Sequence, residues 1–187
     1  LGFTALEFCI SGGNQLGNFA IDSTTGTLTV ATGKTIDFEA GPTSYQLTIT
    51  VTDLLITEFA RSTSMTVTIF VLDENDNAPE IEPISPISIT ESDELSATPF
   101  SPTELVNVLF SDVDTTNSFA FSILSALGTM QATGMQSPVS HFTINSEGRI
   151  SFTEPIDAEV YSGFALVIQL SDGIHQVTTP ISIVSVA

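Results

Sequence analysis

The sequence predicts an all-β chain of two tandem Greek-key β-sandwich units, immunoglobulin-like in type, and three observations predict it. Short segments alternating apolar with polar residues run the length of the chain, helical periodicity is hard to find, and the segments recur in one order after about 120 residues. ALEFCI, GTLTVA, YQLTITVTD, SMTVTIFVLD, FAFSIL, GRISF, FALVIQLSD and TTPISIVSV are rich in Val, Ile, Thr and Phe, and Gly, Asp, Asn or Ser bound them. Such residues suit a pleated surface buried on one side.

The repeat orders these elements. LEFCISGG aligns with FAFSILSA, NFAIDSTTGTLTV with HFTINSEGRISF, IDFE with IDAE, and SYQLTITVTD with GFALVIQLSD. The offsets are 113 from Phe8 to Phe121, 122 from Gly26 to Gly148, 120 from Asp37 to Asp157 and 119 from Asp53 to Asp172. The early jump marks an insertion of about nine residues between Ser125 and His141, and ALGTMQATGMQSPVS there reads as a mobile loop. Asp22 and Asn145, four residues before Gly26 and three before Gly148, are expected to form hairpin turns. Cys9, between Phe8 and Ile10, is expected to be a small buried side chain. The first unit is expected over residues 1–77 without its opening strands, the second, complete, over 78–187, with a linker at about 73–79. A sandwich without opening strands would expose an edge, to be covered by a longer parent chain or by another polypeptide.

Charge narrows the function. Lys34, Arg61 and Arg149 are the three basic residues against 22 acidic ones, a net charge of −19. Such a field repels nucleic acid and anionic membrane surfaces and favours cations. At 42% hydrophobic residues the chain is too apolar to be an acidic disordered segment. One cysteine excludes an internal disulfide, and no apolar run approaches the ~20 residues that cross a bilayer. His141 and His175 lie in unlike contexts without a partner motif, and no nucleophile elbow occurs, so neither a catalytic nor a metal role is expected of them and no enzyme is predicted.

The acids are grouped rather than scattered. VTIFVLDENDNAPEI, residues 67–81, ends a strand and then sets Asp73, Glu74, Asn75, Asp76 and Asn77 in a row before Pro79. The D-x-N-x-N spacing opens an EF-hand loop, but Ala78 stands where glycine is needed, Ile84 where a bidentate glutamate is needed, and strands flank it. Asp37 with Glu39, and Asp157 with Glu159, place carboxylates two residues apart, hence on one side of an extended segment. Asp112 and Asp114 repeat that spacing, while Asp53 and Asp172 each close a strand. Carboxylates, amide carbonyls and backbone oxygens are the ligands of hard cations such as calcium.

These residues resemble the extracellular repeats of the cadherin superfamily. DENDNAP is similar to the D-x-N-D-N-x-P linker, IDFE and IDAE to L-D-x-E, SDVDTTNSFAFSI to A-x-D-x-D-x-G-x-N leading into Y-S-I, VTD and LSD to A-x-D, and ITES to V-x-E-N. The resemblance covers the whole chain as two repeats. It implies a calcium-clamped junction, with Asp37 and Glu39 from the first repeat, and Asp73, Asn75, Asp76 and the carbonyls of Glu74 and Asn77 from the linker. The second repeat would add Asp112, Asp114, Asp172 and the carbonyl of Asn117, and Asp76 and Asp114 would bridge ions. The opening-strand glutamate of the first repeat has no counterpart here. Asp53, Glu91, Asp157 and Glu159 would be half-sites for neighbouring junctions. Seven carboxylates (37, 39, 73, 76, 112, 114 and 172) would face three divalent ions, a near balance of charge.

The function so implied is a calcium-dependent adhesion or extracellular structural module at the cell surface, an interior segment of a membrane-protein ectodomain. Its partners would be neighbouring repeats of the parent chain and a homophilic or heterophilic protein, with no insertion of this segment into the membrane. The alternative is a cadherin-like component of a matrix, coat or filament whose missing strands a neighbouring chain supplies.

Overall fold

The computed structural model describes residues 6–54, 61–90, 103–115 and 117–186. Among these the chain forms fifteen strands and no helix, in two compact units, Leu1–Glu74 and Asn75–Ala187.

In the first unit, β1 (Leu6–Gly12), β4 (Ser44–Asp53) and β5 (Arg61–Phe70) form an antiparallel sheet in the order β1-β4-β5, and β2 (Phe19–Ile21) pairs with β3 (Leu28–Val30). The period-2 pattern of YQLTITVTD becomes a face: Leu47 and Ile49 are buried, and opposite them stand Val67 and Met65 of β5. Phe19 completes the buried centre, edge-on to Tyr45 at 4.9 Å between centroids, with Ile10, Ile21, Leu28 and Ile69 around it. A bulge after Ile10 ends β1, and Gly13 follows at φ +83°, where a Cβ would lie 1.8 Å from the Gln46 carbonyl oxygen. No other residue fits there.

Cys9 is exposed, against the expectation of burial. Ile10 packs against the core and the half-buried Phe8 shares its side of the strand, so the alternation turns Cys9 to the opposite face, where it stands across from Thr50. That outer face is hydroxyl-rich: Ser11, Thr50 and Ser64 join across three strands at 2.7 and 2.8 Å.

The second unit contains β6 (Glu80–Ile81), β7 (Ile87–Thr90), β8 (Thr103–Asn107), β9 (Phe110–Ser111), β10 (Ala120–Met130), β11 (Gln136–Pro138), β12 (Phe142–Ile144), β13 (Arg149–Phe152), β14 (Tyr161–Ser171) and β15 (Gln176–Val186). A five-stranded sheet, β11-β10-β14-β15-β7, and a three-stranded sheet, β12-β13-β8, sandwich the core, and β6 pairs with β9. Phe164, Leu166 and Ile168 from β14 and Ile181 and Ile183 from β15 meet Ile150 and Phe152 from β13, all at most 3% exposed. β7 joins β15 in parallel, Ile183 opposite Ile87.

The insertion is not a loop. β10 runs on through it to Met130, turns over residues 131–134, and returns as β11 with Leu127 opposite Pro138 and Thr129 opposite Gln136. The residues that read as loop formers have other work. Gly128 lies beneath the Tyr161 ring, where a Cβ would come within 2.7 Å, and Gly134 supplies the φ of +67° at the turn and donates its amide to the Met130 carbonyl at 2.8 Å.

Both predicted hairpin turns form by one device. Asp22 Oδ1 accepts the amides of Thr24 and Thr25 at 2.9 and 2.7 Å, and Asn145 Oδ1 accepts those of Glu147 and Arg149 at 3.0 and 2.9 Å. Gly26 and Gly148 then take φ of +73° and +80°. The Thr25 amide, followed by the Thr24 amide and the Thr25 hydroxyl, holds the Asp22 carboxyl below the ordinary carboxylate range. A depressed folded value means that this turn's contribution is full above the ordinary carboxylate pKa of about 3.9 and is lost as pH falls through the folded value. Side-chain NMR titration will therefore place Asp22 below an exposed reference aspartate. Asp22→Asn, copying the other unit, will keep the turn and remove its acid dependence; a titration coincident with the reference would contradict the assignment.

Candidate metal centre

Three segments of the second unit meet around acidic side chains: the entering chain Asn75–Pro79, residues 112–115 and 117–119 between β9 and β10, and the β14–β15 loop at 172–175. The strand ends place them. β14 ends at Ser171, Gly173 turns the chain at φ +102°, and β15 departs from Gln176. Pro79, fully buried, anchors the entering chain just before β6.

Asp114 ties the first two segments together. Its Oδ2 accepts the Asn77 amide at 2.9 Å and its Oδ1 the Asn77 side-chain amide at 2.8 Å, with the residue only 5% exposed. The same Asn77 Nδ2 also donates to Asp76 Oδ1 at 2.8 Å. Within the loop, the Asp114 amide donates to Asp112 Oδ1 at 3.0 Å, and Asn117 Nδ2 to the Asp114 carbonyl at 2.8 Å. The Asp172 carbonyl joins all three segments, accepting Asn75 Nδ2 at 3.1 Å and the Ser118 amide at 3.3 Å.

Asp172 itself is 2% exposed. Burial acts against its charged form, but the Ile174 and His175 amides on Oδ1 and the His175 ring nitrogen on Oδ2 outweigh it and hold the carboxyl below its ordinary range. The sequence reading gave His175 no metal or catalytic role, yet its ring reaches the Asp172 carboxylate; the local signal is a ring nitrogen three residues beyond Asp172. Two oxygens of this cluster, Asn75 Oδ1 and Asp112 Oδ2, are buried with no hydrogen-bond partner among the described residues. An amide oxygen and a carboxylate oxygen so placed accept but cannot donate, which is the chemistry of an oxygen-liganded cation.

The other predicted residues lie elsewhere. Asp37, Glu39, Asp53, Asp73 and Glu74 belong to the first unit, and Glu91 lies outside the described residues. The two acid pairs do not sit along extended segments as their spacing suggested. Asp37 Oδ1 accepts the Ala40 amide at 2.7 Å, and Asp157 Oδ1 accepts the Glu159 and Val160 amides at 3.0 and 3.1 Å, so Glu39 and Glu159 stand within tight turns. A short carboxylate that can cap its own following amides favours the turn over the strand. Asp157 and Glu159 are exposed beside the buried Ile156 and Ala158.

The family model of the Cadherin domain matches residues 4–72. Human Protocadherin Fat 4 is 32% identical over 167 residues, 89% of this chain and 3% of that protein, and human Protocadherin-23 is 30% identical over 171 residues, 91% and 4% respectively. The chain belongs to the cadherin superfamily. Among solved structures, human Protocadherin-24 EC1-2 superposes with a TM-score of 0.71 at 20% identity over 98% of this chain and 83% of that one. The human Desmocollin-1 ectodomain gives 0.74 at 22% identity, over 98% and 35%. These likenesses carry the β-sandwich fold of the tandem cadherin repeats. The cadherin repeat is an extracellular, adhesion-type module and not an enzyme. This cadherin segment spans 3% and 4% of the two curated relatives, and among its described residues no helix is long and apolar enough to cross a membrane.

Asn77→Ala will remove both side-chain bonds to Asp76 and Asp114. In chelator, calorimetry will show the second unit's transition lowered by about 1–2 kcal/mol, the worth of one or two such bonds, with the first unit's transition unmoved. Equal loss in both units would contradict the placement of Asn77.

Proposed function

We propose that this segment is a calcium-dependent extracellular module, adhesive or structural, in which cations held at the linker stiffen the passage from one repeat to the next. The observation that carries the reading is the pair of buried, unpartnered oxygens, Asn75 Oδ1 and Asp112 Oδ2, beside the buried carboxylates of Asp114 and Asp172. A buried acceptor left unmade costs roughly 1–3 kcal/mol, so the cluster gains from a group that accepts nothing and attracts oxygen. A calcium ion, when bound, supplies positive charge and takes six to eight oxygens.

The chain's own residues do the rest. Asp114 clamps the linker by its amide and its side chain at Asn77, Asp172 fixes Asn75 through its carbonyl, and Asp112 is oriented by the Asp114 amide. The ligand set we propose is Asp37, Glu39, Asp73, Asn75, Asp76, Asp112, Asp114 and Asp172, with the carbonyls of Glu74, Asn77 and Asn117. With the net charge of −19, the linker carboxylates would repel one another without ions, which supports a segment that is loose in chelator and stiff in calcium. Its partners would be adjoining cadherin repeats and a protein surface met in that stiffened state.

Titration of the chelator-stripped chain by calorimetry will show calcium binding at about 10⁻⁴ to 10⁻³ M, the range of extracellular modules. Asp114→Ala will lose one or more of those sites. Binding absent from the wild-type chain, or undiminished in the variant, would refute the assignment.

A further inference from the structure

His175 occupies an oxygen that a cation at Asp172 would need. Its Nδ1 lies 3.0 Å from Asp172 Oδ2, and since an ionised carboxylate only accepts, the ring carries its proton on Nδ1 and donates it. Asp172 Oδ1 is already satisfied by the Ile174 amide at 2.7 Å and by the His175 amide. With Asp172 2% exposed, no bulk water reaches Oδ2 in place of the imidazole. The His175 side chain is 32% exposed, so the ring has room to swing off the carboxylate without disturbing the core. The backbone of the loop does not depend on the ring, because the Asp172 carbonyl is held separately by Asn75 Nδ2 and the Ser118 amide.

We infer that His175 is a built-in competitor that sets calcium affinity at the second repeat's side of the junction, by donating to the Asp172 oxygen that a bound ion would take. The inference rests on the calcium reading above. Its thermodynamics follow from where the hydrogen bond exists. Where the ion takes the Oδ2 lone pair that the ring holds, the donor satisfies Oδ2 in the empty site and is displaced when the site fills, so it stabilises the empty state selectively and weakens binding by the same amount. The aligned first-repeat residues read Asp53-Leu54-Leu55-Ile56, with isoleucine where the second repeat has His175, so the competitor belongs to one repeat only.

The test compares wild type, His175→Ala and His175→Asn by calcium calorimetry and by thermal unfolding in chelator, all at a fixed pH of about 8, where an ordinary imidazole is neutral. Alanine removes the donor, whereas the asparagine amide nitrogen falls close to the place of Nδ1 and keeps it. The expected result is one site about fivefold to tenfold tighter in His175→Ala, a second-unit transition lowered in chelator but restored in saturating calcium, and wild-type behaviour in His175→Asn. Equal affinities in wild type and His175→Ala would overturn the inference while leaving the calcium reading intact. Weaker binding in His175→Ala would overturn it in the other sense, making the ring a support for Asp172 rather than its competitor. No binding by wild type would remove the calcium reading and this inference together.

Discussion

Asp114 is a carboxylate with almost no access to water, and both of its oxygens are spent on one residue of the entering chain, the amide and the side chain of Asn77. A charge so buried is tolerated only when donors surround it. The consequence runs outward from there: Asn77 fixes where the chain enters the second unit, Pro79 is buried just beyond it, and β6 begins at Glu80. The same loop presents Asp112, and its Ser118 amide reaches Asp172. The acidic end of the second sandwich is thus assembled by hydrogen bonds among its own acids and amides, and it leaves two oxygens over.

Those leftover oxygens separate this cluster from an ordinary solvated acidic surface. Asp22 and Asp157 show what exposed aspartates do in this chain: each caps the amides of its own turn. Asn75 and Asp112 are fixed by one atom and idle at another, inside the protein. A fold that depended on the cluster only for its turns would satisfy or expose those atoms.

The repeat and the strand alternation made the fold legible, because period 2 and a constant offset survive substitution of most individual residues. The Asp22 and Asn145 turns were legible for the same reason, a small acceptor shortly before a glycine in both copies, four residues before Gly26 and three before Gly148. Cys9 was misread by composition when the alternation around it already turned it outward. The β10–β11 hairpin was hidden because Gly128 is a packing glycine beneath Tyr161, which no local pattern distinguishes from a flexible one. Glu39 and Glu159 were placed on extended segments since side-chain capping by the preceding aspartate overrides spacing. His175 was set aside for want of a partner motif, because its partner is defined by the turn at Gly173 and not by a motif.

On the calcium reading, the Asn75–Pro79, 112–115, 117–119 and 172–175 segments form one cation-dependent unit. Amide hydrogen exchange of the intact chain in chelator and in millimolar calcium measures this directly. Slower exchange in calcium is expected, confined to those segments and to the turn at residues 37–41, with the cores around Leu47 and Ile150 unchanged. Identical exchange in both conditions, or a uniform change across both cores, would contradict it.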